Sequence, residues 1–197
     1  MAFSDYKNLE QVQAEYQIKY REQTFLTAQG LDISGVFLQE LTFNLENMDA
    51  FASEAARCEL IIFPILREVY KQYHQTTSLW VQRPLHVDQQ LNGTPDYMLS
   101  QKSELGKTVL GLPILLLTEA KKNDFEQGWG QCLAELVAGD CLNQNTRPIY
   151  GIVTDGKTWE FGYLEQQVFT KDSRVYTISE VERLLNVVND LFRRSVQ

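Results

Sequence analysis

The sequence predicts an α/β fold, a mixed β-sheet flanked by helices. Three observations predict it. Apolar residues recur at three and four along 53–73, 125–138 and 179–193, the spacing of helices with one buried face. Short apolar or alternating runs lie between them as strands, the strongest being LPILLL at 112–117. The resulting order is helix, three strands, helix, two or three strands, helix.

Taken in chain order, a short helix is expected over 9–16, and 17–27 fits either helix or strand. Gly30, Asp32, Ser34 and Gly35 mark a turn region. VFLQELTFNL at 36–45 alternates loosely and reads as an edge strand. Asn47 or Ser53 caps the helix over 53–73, whose stripe is Cys58, Ile61, Ile62, Ile65, Leu66, Val69 and Tyr73. Pro64 has no N–H to donate, so a kink is expected near Leu60, whose carbonyl loses its partner. Strands follow over 78–87 and 94–99, parted by the turn Leu91-Asn92-Gly93, and the polar loop SQKSELGKT leads to a strand over 110–119.

The helix over 125–138 carries Trp129, Cys132, Leu133, Leu136 and Val137 as one apolar stripe. Gln127, Gln131 and Glu135 line up opposite, where a solvated face is the simple reading. Gly130, Ala134 and Ala138 near that stripe permit close approach by another element. PIYGIVT at 148–154 is a strand, and Asp155-Gly156 supplies the two positive-φ residues of a tight hairpin. The chain returns antiparallel over 158–164, with a short strand over 167–170. Ser179 and Glu182 are spaced as a capping box for the last helix, 179–193. Residues 1–50 are expected to form an N-terminal extension packed on the core, and 51–197 the main domain.

Composition narrows the function. With 44% hydrophobic residues in 197, the chain can bury one sizeable core, and 22% charged residues is not a disordered composition. No run approaches the roughly 20 apolar residues that a bilayer needs. The polar start MAFSDYKNLEQVQAEYQ lacks an apolar signal core. A soluble, cytoplasmic protein without membrane association is expected. Cys58, Cys132 and Cys141 follow no metal spacing and read as free thiols. His74 and His86 also lack a metal-ligand spacing. There is no G-x-x-x-x-G-K-[ST] phosphate loop and no G-x-S-x-G nucleophile turn. A net charge of −8 argues against a broad basic surface for nucleic acid. It leaves open a local patch or a bound metal. Only the loop over 101–107 and Lys121-Lys122 is locally basic.

The chemistry gathers at the end of the apolar strand. In TEAKK, Glu119 and Lys121 stand two apart, so they share a strand face while Ala120 points away. Pro95 cannot donate to a ladder and belongs at a strand start. If its strand pairs with the next, Asp96 lies beside Glu119. A solvated ion pair and a strand-start aspartate are the competing readings. Two close carboxylates coexist cheaply only with something positive between them. Mg²⁺ or Mn²⁺ is the natural candidate, because hard divalent ions take oxygen ligands. An adjacent lysine suits metal-assisted phosphodiester hydrolysis.

Pro95-Asp96 followed by Glu119-Ala120-Lys121 on the next buried strand resembles the PD-(D/E)XK nuclease superfamily. TPDYML, LLTEAKK, GWGQCLAELVAG and IYGIVTDGKTWEF are together similar to the nuclease domains at the N-terminus of type I restriction subunits and their stand-alone relatives. The resemblance covers roughly 53–164. It implies a restriction endonuclease-like core in 51–197 and a Mg²⁺- or Mn²⁺-dependent nuclease acting on DNA. It also implies a further metal-ligating glutamate on the helix before the first strand. Glu54 and Glu59 fall about 70° to either side of the apolar centre of that helix, with Glu68 further off; Glu59 is preferred and Glu54 second. Relatives carry Gln-x-x-x-Tyr on the helix after the E-x-K strand. Here Gln131 keeps the glutamine, and Glu135 stands at the tyrosine position. The implied set is Asp96, Glu119 and Glu59 for the metal, with Lys121 and Gln131 beside them. A non-catalytic interaction or regulatory module on the same fold is the alternative, and a homodimer sharing a groove is a third possibility.

Overall fold

Residues 2–28 and 30–197 are described by the computed structural model; Met1 and Gln29, both in the expected extension, lie outside the described residues. A 3-10 turn (Phe3–Asp5) precedes α1 (Leu9–Tyr16), whose N-terminus is capped by the Asn8 side chain, and β1 (Lys19–Glu22). Next come α2 (Gly35–Asn47), α3 (Glu54–Arg57), a π turn (Cys58–Ile62) and α4 (Phe63–Tyr70). The strands β2 (Thr77–Val81), β3 (Leu85–His86), β4 (Asn92–Gly93), β5 (Tyr97–Gln101) and β6 (Ile114–Ala120) lead to α5 (Phe125–Leu142). The chain closes with β7 (Ile149–Thr154), β8 (Thr158–Glu165), β9 (Val168–Lys171), β10 (Tyr176–Thr177) and α6 (Val181–Val196).

The main sheet runs β1-β9-β8-β7-β6-β5-β2, with β10 also paired to β8. It is mixed: β6 and β7 are parallel through the α5 crossover, and β1 joins β9 in parallel at one edge. The β5, β2 and β8 pairings are antiparallel. Two cores follow from side-chain alternation. On one face Leu99, Leu116, Ile152 and Phe161 pack against Ile61, Ile65, Val188 and Leu191. On the other, Met98, Leu117, Val153 and Phe169 meet Trp129, Cys132, Leu133 and Leu136 of α5. Phe3, Tyr6 and Val12 extend this second core to the N-terminal segment.

α5 is therefore enclosed between sheet and N-terminal segment. Every residue from Gly128 to Asp140 is buried. The expected solvated face over Gln131 and Glu135 does not exist, because both side chains turn to the end of β6, where they meet Lys121 and Glu119. Gly130 lets the N-terminal segment approach: a Cβ there would lie 2.6 Å from the Asn8 backbone nitrogen. The expected close approach at this glycine is met by the N-terminal segment itself.

Four local expectations change. Residues 36–45 fall within α2, not an edge strand; Phe37 and Leu41, four apart, are its buried anchors. The expected strand over 78–87 breaks at Gln82, which has a positive φ of 45°, and Pro84 follows before β3. Only Gly156 of the Asp155-Gly156 pair has positive φ, and Asp155 instead accepts bonds from Lys157 N–H and Thr158 N–H at 2.9 and 2.7 Å. No side-chain cap opens α6: Ser179 lies inside a 3-10 turn (Ile178–Glu180), which leaves Glu180 at the cap position, and the Ser179 hydroxyl contacts Thr177 at 2.6 Å instead. The Pro64 expectation holds: the helix adopts its π turn just before the proline, and Asn44 Nδ2 donates to the freed Leu60 carbonyl at 3.1 Å. Among the described residues, no helix is long and apolar enough to cross a membrane.

Candidate functional site

The site forms where β6 ends beside the start of α5. Pairing of Tyr97 with Thr118 across β5 and β6 carries the preceding Asp96 to the level of Glu119 and Ala120. There the Asp96 Oδ2 accepts the Ala120 N–H at 2.8 Å. Lys121 continues the strand for one more residue, its N–H donating to the Thr154 carbonyl at 2.9 Å. Strand alternation then does what the spacing predicts. Glu119 and Lys121 point to the α5 face, and the Lys121 Nζ lies 2.7 Å from Glu119 Oε1. Ala120 belongs to the opposite core. Gly128 lets α5 lie close: a Cβ there would be 3.1 Å from Lys121 Cγ.

α5 contributes the remaining groups. Lys121 Nζ also donates to Gln131 Oε1 at 3.0 Å, and Gln131 Nε2 donates to Glu135 Oε1 at 3.3 Å. Glu135 in turn lies beside Glu119, so two carboxyls share the buried space. Burial, and then the nearby Glu119, drive the Glu135 carboxyl well above its usual range. Glu119 is pushed up to about 7, first by burial and then by Asp96, with Lys121 opposing. Burial raises Asp96 as well, with Glu54 adding to it, while the Ala120 N–H and Lys121 pull it down. For Lys121 burial works against the charge, but Glu119, Glu54 and Asp96 more than offset it, and the ammonium is held above its usual range. It acts here as a fixed cation rather than as a base.

Asp96, Glu119, Lys121 and Gln131 are accordingly brought together. Glu59 is not gathered with them. It lies exposed inside the π turn, and its charge is felt at Cys58 and Tyr97. Glu54, also exposed, is the glutamate whose charge reaches Asp96 and Lys121. Glu68 is buried in a pair with Lys71. The π turn explains the change, since a helical wheel assumes 100° per residue and the wider turn rotates α3 relative to α4.

Among the described residues no three His, Cys, Asp or Glu side chains form a ready cage for a metal. The donor set still fits a hard divalent ion bound by two carboxylates and completed by water. Asp96 and Glu119 are both oxygen donors on one face, and Glu119 Oε2 is buried without a hydrogen-bond partner. A proton or a cation must satisfy that oxygen. Glu135, whose Oε2 is likewise without a partner, is the residue that periodicity undervalues. The flanking glycines Gly128 and Gly139, whose Cβ positions would meet Val153 and Ile149 on the sheet, were the available signal that this side of α5 is covered.

A separate cleft of about 440 Å³ lies between α1, β1 and the start of α5, lined by Tyr20, Phe125, Trp129 and Glu160 among others. None of its lining residues belongs to the carboxylate cluster. Its buried polar atoms satisfy one another, with Glu160 Oε2 bonded to Trp129 Nε1 at 2.6 Å and to Lys171 at 2.8 Å. No protein-family model matches the chain, and no curated protein matches its sequence.

Proposed function

We propose that this protein is a metal-dependent nuclease that hydrolyses DNA phosphodiester bonds, on a restriction endonuclease-like core, in the cytoplasm. The observation that carries the reading is the convergence of Asp96, Glu119 and the Lys121 ammonium at one strand end, with Lys121 Nζ 2.7 Å from Glu119 Oε1. That is the set implied by the resemblance to the PD-(D/E)XK superfamily. Buried carboxyls kept above their usual range, with unsatisfied oxygens, are also what active sites accumulate and plain structural pairs avoid.

Asp96 and Glu119 would hold Mg²⁺ or Mn²⁺. When bound, the ion supplies Lewis-acid polarisation of the phosphate and cancels part of its charge. The chain's own groups do the rest. Lys121, charged and held by Glu119 and Gln131, presents an ammonium to the charge that builds on the phosphate oxygens. Gln131 keeps that ammonium on the α5 side of the strand. Glu54 is the outer acid whose charge bears on the pair.

Incubation of the purified protein with plasmid and linear DNA and Mg²⁺ or Mn²⁺ tests the proposal. Cleavage should fall at least about 100-fold in Lys121→Ala. Cleavage indifferent to that substitution, or none with either metal, ends the nuclease reading. One observation favours the non-catalytic alternative: Glu135 adds a third acid where a phosphate must approach, on a chain of net charge −8. Calorimetry with Mn²⁺ separates the two, since only the nuclease reading requires binding that disappears in Asp96→Asn and Glu119→Gln. A dimer sharing its groove would reveal itself by sizing at several concentrations.

A further inference from the structure

Lys121 can only donate, through three N–H bonds, and it needs acceptors to fix its position. It has two: Glu119 Oε1 at 2.7 Å and Gln131 Oε1 at 3.0 Å. The second is conditional. A glutamine amide has an acceptor end and a donor end, and rotation by half a turn exchanges them. Were the donor end turned to Lys121, two sets of N–H groups would face each other and the lysine would lose that hold. What decides the orientation is the partner at the other end. Glu135 Oε1, on the next turn of α5, accepts Gln131 Nε2 at 3.3 Å. Glu135 is fully buried, so no water competes for the amide.

We infer that Glu135 is a positioning residue: by accepting from Gln131 it fixes which end of that amide faces the strand, and so fixes the Lys121 ammonium beside Glu119. Lys121 is then located by two acceptors from two different elements, β6 and α5. The glutamate at the helix position where relatives carry tyrosine serves the lysine from behind. The catalytic meaning of this device rests on the nuclease reading; the positioning itself does not.

The test reads the lysine directly, without DNA or metal. Ammonium protons exchange rapidly with water unless they are bonded and sheltered. At neutral pH the Lys121 ¹⁵Nζ–¹H signal, identified by its loss in Lys121→Arg, should be visible in the wild-type protein. It should vanish in Glu135→Met and in Gln131→Met. It should persist in Glu135→Gln, whose amide oxygen still accepts from Gln131. A folded Glu135→Met protein with the signal unchanged overturns the inference, as does a wild-type protein that never shows it. Should Glu135→Met fail to fold, the wild-type protein still decides. Nuclear Overhauser contacts from the Gln131 amide protons to the Glu135 side chain are expected, and contacts to the Lys121 side chain instead refute the orientation. If DNA is cleaved, Glu135→Met should lower kcat about 10–100-fold at unchanged KM, and Glu135→Gln should restore it. A sheltered, Glu135-dependent lysine in a protein that cleaves no DNA upholds the positioning and counts against the nuclease reading alone.

Discussion

The buried Asp190 on α6 and the buried acids around Glu119 are built in opposite ways. Asp190 on α6 is fully buried, yet its carboxyl is held below the usual range. Burial works against it, but the Thr27 N–H donates to it at 3.0 Å and Arg193 and Arg194 reach it at 2.5 and 2.9 Å. Its oxygens are satisfied, and it ties the stretch after β1 to the last helix. Glu119 is buried to the same degree, but Asp96 and Glu135 crowd it, one lysine serves three acids, and two carboxyl oxygens are left without a donor. The first arrangement stabilises the fold. The second costs stability in the absence of a positive partner, which is the mark of a site kept for chemistry.

The largest expected contrast comes from neutralising one acid in each cluster. Asp190→Asn leaves two arginines facing a neutral amide in a buried place. It should cost about 3–5 kcal/mol, which at about 2–4 °C per kcal/mol for a chain of this size lowers Tm by about 6–20 °C. Glu119→Gln should leave Tm unchanged or higher and, under the nuclease proposal, reduce DNA cleavage at least about 100-fold. Equal losses of stability from the two substitutions would erase the distinction. Next in size is the cover over α5. Gly130→Ala forces the Asn8 backbone away from the helix and should cost about 1–3 kcal/mol by thermal unfolding. A neutral result there would mean that the N-terminal segment gives way at Gly130 without loss of packing on α5.

The smallest effect is in pH, and its sign separates the clusters. Glu119 rises from 4.5 to about 7 on folding, so the native state holds a proton that the unfolded chain releases across that window. Its cost is absent below about 4.5 and complete above about 7, and metal-free stability should fall as pH rises. Between pH 6 and 8 the loss from this group is about 1 kcal/mol, or about 3 °C. It should disappear in Glu119→Gln and flatten when Mn²⁺ binds. Asp190, held below 3.8, behaves in reverse: its stabilisation is present above that value and is lost as pH falls through its native pKa. A Tm that falls from pH 6 to 8 in the wild-type protein but not in Glu119→Gln fits this assignment; identical profiles would break it.

Much of the candidate site was legible from spacing alone. Residues two apart on a strand share a face, so Glu119 and Lys121 had to meet, and Pro95 marked the strand start that brings Asp96 to them. The α1 helix over 9–16, the α5 crossover and the disruption before Pro64 were equally local matters of periodicity and a missing N–H. Residues 36–45 misled because a loose alternation also contains the four-residue interval between Phe37 and Leu41. Short apolar stretches fit either period until a partner surface chooses.

What only the tertiary structure decided was which faces are covered. The polar stripe of α5 looks solvated in isolation, and it is dry because it lies against the end of β6, while a segment more than a hundred residues earlier closes another side of the helix with Asn8 seated on Gly130. That enclosure turns Glu135 from a surface charge into a proton-holding neighbour of Glu119. The π turn likewise lies beyond any wheel drawn at a constant angle, and it separates Glu54 from Glu59 in their reach toward Asp96. Side-chain alternation and helical period are set by backbone geometry within a few residues. Desolvation depends on what packs from elsewhere in the chain, and it is desolvation that sets the protonation of these acids.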